Sequence, residues 1–251
     1  MYFSRITFNP LVDHRQLAEI ICQDTYREHQ ALWQLFDSDP DASRDFLYRQ
    51  VHEQGRIKYY VLSQRTPIDK SGIWLVDLPK PYDPILTEGQ RLFFMLRANP
   101  IVIVTAPDGK KQRHDVVMHE QKCTGYKQMS KSERPLLQHL IQDSCVKWLE
   151  LRAAGHGFAF ESGAVIADGY QQHESLAKNK KKSIRYSTVD FQGTLTVTDA
   201  ELFRKTLLDG IAISEPVAYN NVGSIWILIP CNIRDTNVLG TILGVGTNLL
   251  L

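Results

Sequence analysis

The spacing of apolar residues in this chain switches between a period of two and a period near 3.6 in a fixed order. That order restricts the possible folds more than any other feature. Residues 2–8 (YFSRITF) alternate aromatic and β-branched residues with polar ones, which predicts a strand, and Asn9-Pro10 turns the chain. Leu17, Ile20, Ile21, Leu32 and Leu35 predict helix over 13–36, interrupted at the polar stretch TYREHQ. A turn cluster at 37–41 precedes two strands, 44–51 and 57–65, joined as a hairpin at Gln54-Gly55. Residues 66–90 are turn-rich (Pro67, Gly72, Pro79, Pro81, Pro84, Gly89) apart from an apolar patch at 73–76. Residues 91–104 (RLFFMLRANPIVIV) carry the strongest strand signal, split at Asn99-Pro100. This order fits a βαββαβ unit whose second helix is degenerate.

The second half repeats part of the scheme. Residues 106–130 are polar and read as a linker. Residues 131–153 predict the clearest helix, with Ser132 before it, Pro135 in its first turn, and Leu136, Leu137, Leu140, Ile141, Val146, Leu149 and Leu151 along a face. Gly155 and Gly157 stop it. Strands follow at 158–169 and 186–198, then a short helix at 199–209 with Asp199 as its N-cap. The expected fold class is α+β, with two ferredoxin-like (RRM-like) domains in tandem: residues 1–105 and 131–211, joined by the linker 106–130 and followed by a tail, 212–251.

The net charge is +1, so a polyanion partner would require locally concentrated positive charge. The start, MYFSRITFNP, carries no secretory signal pattern, and no apolar run approaches the roughly 18 residues of a membrane span. Cys22, Cys123, Cys145 and Cys231 are dispersed, as expected of free thiols in a reducing cytoplasm.

Two groups of residues have the chemistry of RNA handling. Tyr26 and His29 are three apart, and on a helix they share a face. A histidine titrates near neutrality and suits proton transfer to or from an RNA 2′-hydroxyl or leaving oxygen; a tyrosine hydroxyl can orient either group. An ordinary helix surface would carry the same pair, so the spacing alone leaves both readings open. Arg27 is a neighbouring phosphate contact in sequence. The stretch KNKKKSIR holds Lys178, Lys180, Lys181, Lys182 and Arg185, five positive charges in eight residues without an acid. Between two strands it is either a solvated loop or a finger that reads folded RNA through its phosphates. His156-Gly157-Phe158-Ala159-Phe160 partly imitates an RNP1 signature but lacks its leading basic residue and last aromatic, so Phe158 and Phe160 read as core. His114, His119 and Cys123 make a poor zinc set, and the chain carries no HExxH, GxSxG or GxxxxGKS/T; no metal and no cofactor are expected.

Several segments together resemble the CasE family of CRISPR precursor-RNA endoribonucleases from type I-E systems. The most specific is TYREHQALWQLFDSDPDASRDFLYR (25–49), where Tyr26, His29, Leu32, Trp33, Leu35, Phe36, Pro40, Asp41, Arg44, Asp45, Phe46 and Leu47 match the family's block. The opening MYFSRITF, the run Phe94-Met95-Leu96-Arg97-Ala98-Asn99-Pro100 and the helix around Trp148-Leu149 support it, and the likeness spans about residues 1–210. The resemblance implies tandem ferredoxin-like domains and metal-independent cleavage of a CRISPR repeat stem-loop, leaving a 5′-hydroxyl and a 2′,3′-cyclic or 3′-phosphate. It implies that His29 is the acid/base residue with Tyr26 beside the 2′-hydroxyl, that 178–185 contacts the stem, and that Arg97 is a lesser RNA contact. The partners it implies are the repeat RNA or its crRNA product and the other Cascade subunits. A subunit that binds the stem-loop without cutting, and a scaffold subunit without an RNA role, are the alternatives.

The ending departs from that family, whose last helix leads into a Gly-rich loop with a basic residue. Here Leu208-Asp209-Gly210-Ile211 begins the pattern and 212–216 does not continue it. The last 40 residues hold one basic residue, Arg234, and two acidic ones, Glu215 and Asp235. A shifted reading frame near residue 211 would produce such a change, and back-translation permits a neighbouring frame that restores glycine, lysine and arginine, then glycine. A divergent extension is the other reading. Either one puts the pairing of the final strand in question.

Overall fold

The structure, a computed structural model, describes residues 1–21, 25–36, 45–176, 183–211 and 224–228. Strand β1 (Tyr2–Phe8) leads through α1 (His14–Ile21) and α2 (Thr25–Trp33) to β2 (Phe46–Glu53), β3 (Arg56–Ser63), β4 (Trp74–Val76) and β5 (Lys80–Pro81). These strands form one antiparallel sheet in the order β2-β3-β1-β4, with β5 also on β1. That order is the one a βαββαβ ferredoxin-like unit generates. Gln54 and Gly55 link β2 to β3 with both residues at positive φ (50° and 73°). A two-residue loop of this kind matches the strands' twist, which is why Gly is favoured in it. No helix precedes β4 among the described residues 64–73, in keeping with the degenerate second helix.

The second sheet contains β6 (Arg91–Ala98), β9 (Phe158–Ala159), β10 (Val165–Leu176), β11 (Ser183–Val197) and β12 (Ser224–Leu228), in the order β10-β11-β6-β12 with β9 on β11. A hairpin of β7 (Ile101–Thr105) and β8 (Lys111–Asp115) follows β6, and then come α3 (Val116–Cys123), α4 (Leu137–Ala153) and, after β11, α5 (Ala200–Asp209). Taking β6 as first strand, α4 as first helix, β10 and β11 as second and third strands, α5 as second helix and β12 as fourth strand, the same ferredoxin-like order is repeated.

Sheet membership therefore departs from division by sequence position at three places. The run 91–98, assigned by order to the first unit, is the central strand of the second; it pairs with β11 from Val189↔Ala98 to Thr196↔Arg91. The physical reason lies in β6's alternation: Leu92, Phe94, Leu96 and Ala98 are buried with Val189, Phe191 and Leu195 and with Leu140, Cys145, Trp148 and Leu149 of α4. Burying each such side chain contributes about 1.5–3 kcal/mol, and α4 with Phe203 and Leu207 of α5 supplies the surface that does so. The fourth strand of the first unit is instead the short apolar patch β4. Residues 106–130, read as a linker, contain β8 and α3, whose Val116 and Val117 join the second core. The tail supplies β12, antiparallel to β6 from Ser224↔Arg97 to Leu228↔Phe93. The long helix starts at Leu137, later than residue 131, and the helix predicted over 13–36 is two helices. Phe158 is fully buried against Phe94 and Phe203, and Phe160 packs on the same core, as read from the sequence.

Candidate nucleic-acid interface

Helix α2 is held by one face. Glu28, Ala31 and Leu32 are buried at spacings of three and four, the pattern of a helix lying on a sheet, and Leu35 and Phe36, just past the helix end, follow them into the core with Phe46, Tyr48, Tyr59 and Val61. Glu28 is the polar member of that face. The Tyr59 hydroxyl of β3 donates to its Oε1 at 2.7 Å, and Gln50 Nε2 approaches the Tyr59 oxygen at 3.5 Å. Burial pushes the Glu28 carboxyl up, opposed by the Tyr59 hydrogen bond and by the nearby charge of Arg97. Burial and the adjoining Glu28 keep the Tyr59 hydroxyl protonated well above its ordinary range. Positions 26, 27 and 29 are on this helix, but the side chains of Tyr26, Arg27 and His29 lie outside the described ones.

Arg97 lies across from Asp190 in the β6–β11 ladder, and the two make a fork: Nε to Oδ1 at 2.9 Å and Nη2 to Oδ2 at 2.6 Å. That hydrogen bond raises the Arg97 pKa, against the opposing effect of burial. Arg49 of β2 reaches the same carboxylate from the other sheet, Nη2 to Oδ1 at 3.8 Å. Burial lowers the Arg49 pKa; Asp190 opposes this and Arg97 adds to it. Its Nη1 is buried without a hydrogen-bond partner among the described residues. Arg49, Asp190 and Arg97 thus alternate in charge from one sheet to the other, and the buried Glu28 of α2 feels the charge of Arg97.

Beyond Asp190, the strand pair β10–β11 runs out antiparallel to Leu176↔Ser183. His173 of β10 bonds Thr188 Oγ1 through Nε2 at 2.8 Å and stacks on Tyr186 with ring centroids 4.8 Å apart. Burial, and then the charge of Arg97, hold its pKa below the usual value. Lys178, Lys180, Lys181 and Lys182 lie outside the described residues, in the connector between the two paired strand ends. Arg185 is exposed on β11 and meets Glu174 at 3.2 Å; an open pair of this kind leaves its charge available.

The structure thus places Arg97 on Asp190 together with Arg49 of the other sheet, and puts Arg185 on the strand that leads out of the basic connector. Arg49, Asp190, Glu28, Tyr59 and His173 were not singled out from the sequence. Glu28 lies in the polar stretch TYREHQ and His173 in QQHES, so neither stands out locally, and only the packing of one sheet beside the other brings Arg49 to Asp190. His119 and Cys123 approach at 3.5 Å, and among the described residues no group of three or more His, Cys, Asp or Glu gathers in a metal-holding arrangement. No helix of the described residues is long and apolar enough to cross a membrane.

Comparison with known proteins agrees with this architecture. The model of a family described as CRISPR associated protein matches residues 1–212. The CRISPR system Cascade subunit CasE of Escherichia coli K12 is 30% identical over 196 residues, covering 78% of this chain and 88% of that one. Among solved structures, the CRISPR endoribonuclease Cse3 bound to a 19-nucleotide RNA aligns with a TM-score of 0.63 at 24% identity, over 91% of this chain and all of the other. The CRISPR-associated protein Cas6e from E. coli K-12 aligns with a TM-score of 0.54 at 22% identity, over 90% and 98%.

Proposed function

Since this chain belongs to the family of CRISPR-associated proteins and is a CasE-type subunit, we propose that it is the endoribonuclease that cuts repeat stem-loops out of CRISPR precursor RNA in the cytoplasm. The reaction needs no metal. The 2′-oxygen at the cut site bonds to the adjacent phosphorus as its proton leaves to a base, and the bond from phosphorus to the 5′-oxygen breaks as that oxygen takes a proton. The products are a 2′,3′-cyclic phosphate, which can open to a 3′-phosphate, and a 5′-hydroxyl. His29 moves a proton in one of these steps, and Tyr26 orients the 2′-hydroxyl or the phosphate. Lys178, Lys180, Lys181, Lys182 and Arg185 hold the stem by its phosphates, with Arg27 and Arg97 as further contacts. The enzyme then stays on its crRNA product within Cascade.

The observation that carries this reading is the anchoring of α2. The helix that bears positions 26 and 29 is bound through Glu28 and Tyr59 to the first sheet, whose Arg49 reaches Asp190 on β11, the strand leading out of the basic connector. Acid/base residues and phosphate-binding residues are therefore on mechanically linked elements. A second reading, a stem-loop binder that does not cut, is favoured by the missing Gly-rich ending, because backbone amides of such a loop can approach phosphate.

The test is incubation of the purified protein with a labelled repeat stem-loop in EDTA, alongside His29→Ala and an RNA with a single 2′-deoxy nucleotide at the cut site. One cut in EDTA, abolished in both controls, is the expected result. Tight binding without a cut would select the non-cleaving reading, and cleavage that persists with His29→Ala would remove that residue from the chemistry.

A further inference from the structure

The Arg49–Asp190–Arg97 ion group, together with the buried Glu28 of α2, is costly to build. These side chains sit at or near a seam between two sheets, where ionised groups lose hydration. Arg49 is only 13% exposed along its side chain and keeps a buried Nη1 with no hydrogen-bond partner among the described residues. Asp190 is shared by two guanidiniums from different sheets. Glu28 is 6% exposed and sits in sequence between Arg27 and His29. Ala31 and Leu32 of the same helix belong to the apolar core with Tyr59, and Glu28 is the charged residue beside them. Its carboxylate holds α2 to its own sheet through the Tyr59 hydroxyl, and Arg49 of that sheet carries the connection on to Asp190 of the other.

We propose that Glu28 and Asp190 are positioning residues for cleavage: through Tyr59, Arg97 and Arg49 they fix α2 relative to the second sheet, so that they set the rate of the cut and not the affinity for RNA. The proposal rests on the reading of His29 as the acid/base residue of α2. A reacting group displaced by about 1 Å can cost on the order of a hundredfold in rate, whereas phosphate contacts along a stem tolerate such a shift.

The test uses near-isosteric variants of the full chain: Glu28→Gln, Tyr59→Phe and Asp190→Asn, with Asp190→Glu as the charge-keeping variant and His29→Ala as the control on the underlying reading. Single-turnover cleavage at saturating repeat RNA, RNA affinity and thermal melting are measured for each. Glu28→Gln, Tyr59→Phe and Asp190→Asn are expected to slow the cut by about tenfold or more while RNA affinity stays within about twofold, and Asp190→Glu to recover most of the rate. The Glu28→Gln/Asp190→Asn double variant is expected to be no slower than the slower single variant, because both break one chain. Wild-type rates in the single variants, or rate and affinity falling together in step with stability, would overturn the proposal. Tyr59→Phe, which removes only a hydroxyl, keeps the question decidable if Asp190→Asn does not fold. Failure of His29→Ala to slow the cut would instead sink the acid/base reading on which the proposal stands.

Discussion

Replacing Gly193 with alanine is expected to unfold the second domain's packing from the inside. Gly193 lies on β11 opposite Val165 of β10 and Phe94 of β6. A Cβ added there would stand 2.0 Å from the carbonyl oxygen of Ala164, 2.9 Å from Val165 Cα and 3.0 Å from the Ala164 carbonyl carbon. Ordinary contacts between carbon atoms are about 3.5–4.0 Å, so the oxygen contact is short by an ångström or more. All three neighbours are backbone, so no side-chain rotation relieves the clash. Either β10 must leave β11 at this register or the short turn Ser162–Ala164 must lift away. Overpacking of a well-packed interior costs about 1–3 kcal/mol, and a clash with backbone on a central strand belongs at or above the upper end. For a chain of this length each kcal/mol lowers the melting temperature by about 2–4 °C, so a drop of roughly 6–12 °C is expected. Thermal unfolding followed by far-ultraviolet circular dichroism measures it. Gly163→Ala is the matched control, because a Cβ at Gly163 meets nothing within 4 Å among the described residues. If Gly193→Ala melts with the wild type and the Gly163→Ala control, the close approach of the turn to β11 is not what excludes a side chain there, and the reasoning is wrong.

Replacing Lys180, Lys181 and Lys182 with alanine together should weaken stem-loop binding at low salt and flatten its salt dependence. Each lysine that neutralises a phosphate accounts for about 0.7–0.9 of the slope of log K against log salt, and an unchanged slope would make the connector a solvated loop. His156 and His173 both have lowered pKa values, so the unfolded chain binds their protons more readily than the fold does. Their effect is full stability above the unfolded value near 6.5, diminishing as pH falls below it. The His156→Gln/His173→Gln variant should therefore lose less stability between neutral and mildly acid pH than the wild type, and equal losses would refute the assignment. The match to the family model stops at residue 212, where the composition of the tail changes. The coding DNA is expected to restore a Gly-rich, basic ending when read in a neighbouring frame from about residue 211; a neighbouring frame without it would leave a divergent extension as the explanation.

The sequence carried the element types well, because they depend on local periodicity. The alternation in residues 2–8, the Asp199 cap that accepts from Leu202 N, and the Gln54-Gly55 turn were all legible; of the expected helical face, Leu140, Ile141, Val146 and Leu149 are buried, whereas Leu136, Leu137 and Leu151 are exposed. The position-specific match around Tyr26, His29 and 32–47 carried the family. What the local pattern left undetermined was strand partnership. The alternation of β6 shows only that one face is buried, and nothing in residues 91–98 states which sheet will bury it.

By itself, then, the amino-acid order determined the element order of two ferredoxin-like units, the spacing of Tyr26 and His29 three residues apart and the concentration of lysine between two strands, since each is a matter of spacing along the chain. Tertiary structure decided that β6 serves the second unit, that a stretch of the tail closes its sheet as β12, and that Arg49 and Arg97 meet at Asp190 across the seam. These three charged residues are scattered from position 49 to position 190, and their interaction exists only because the two sheets pack side by side. Long-range electrostatic contact of that kind leaves no periodic trace in a sequence.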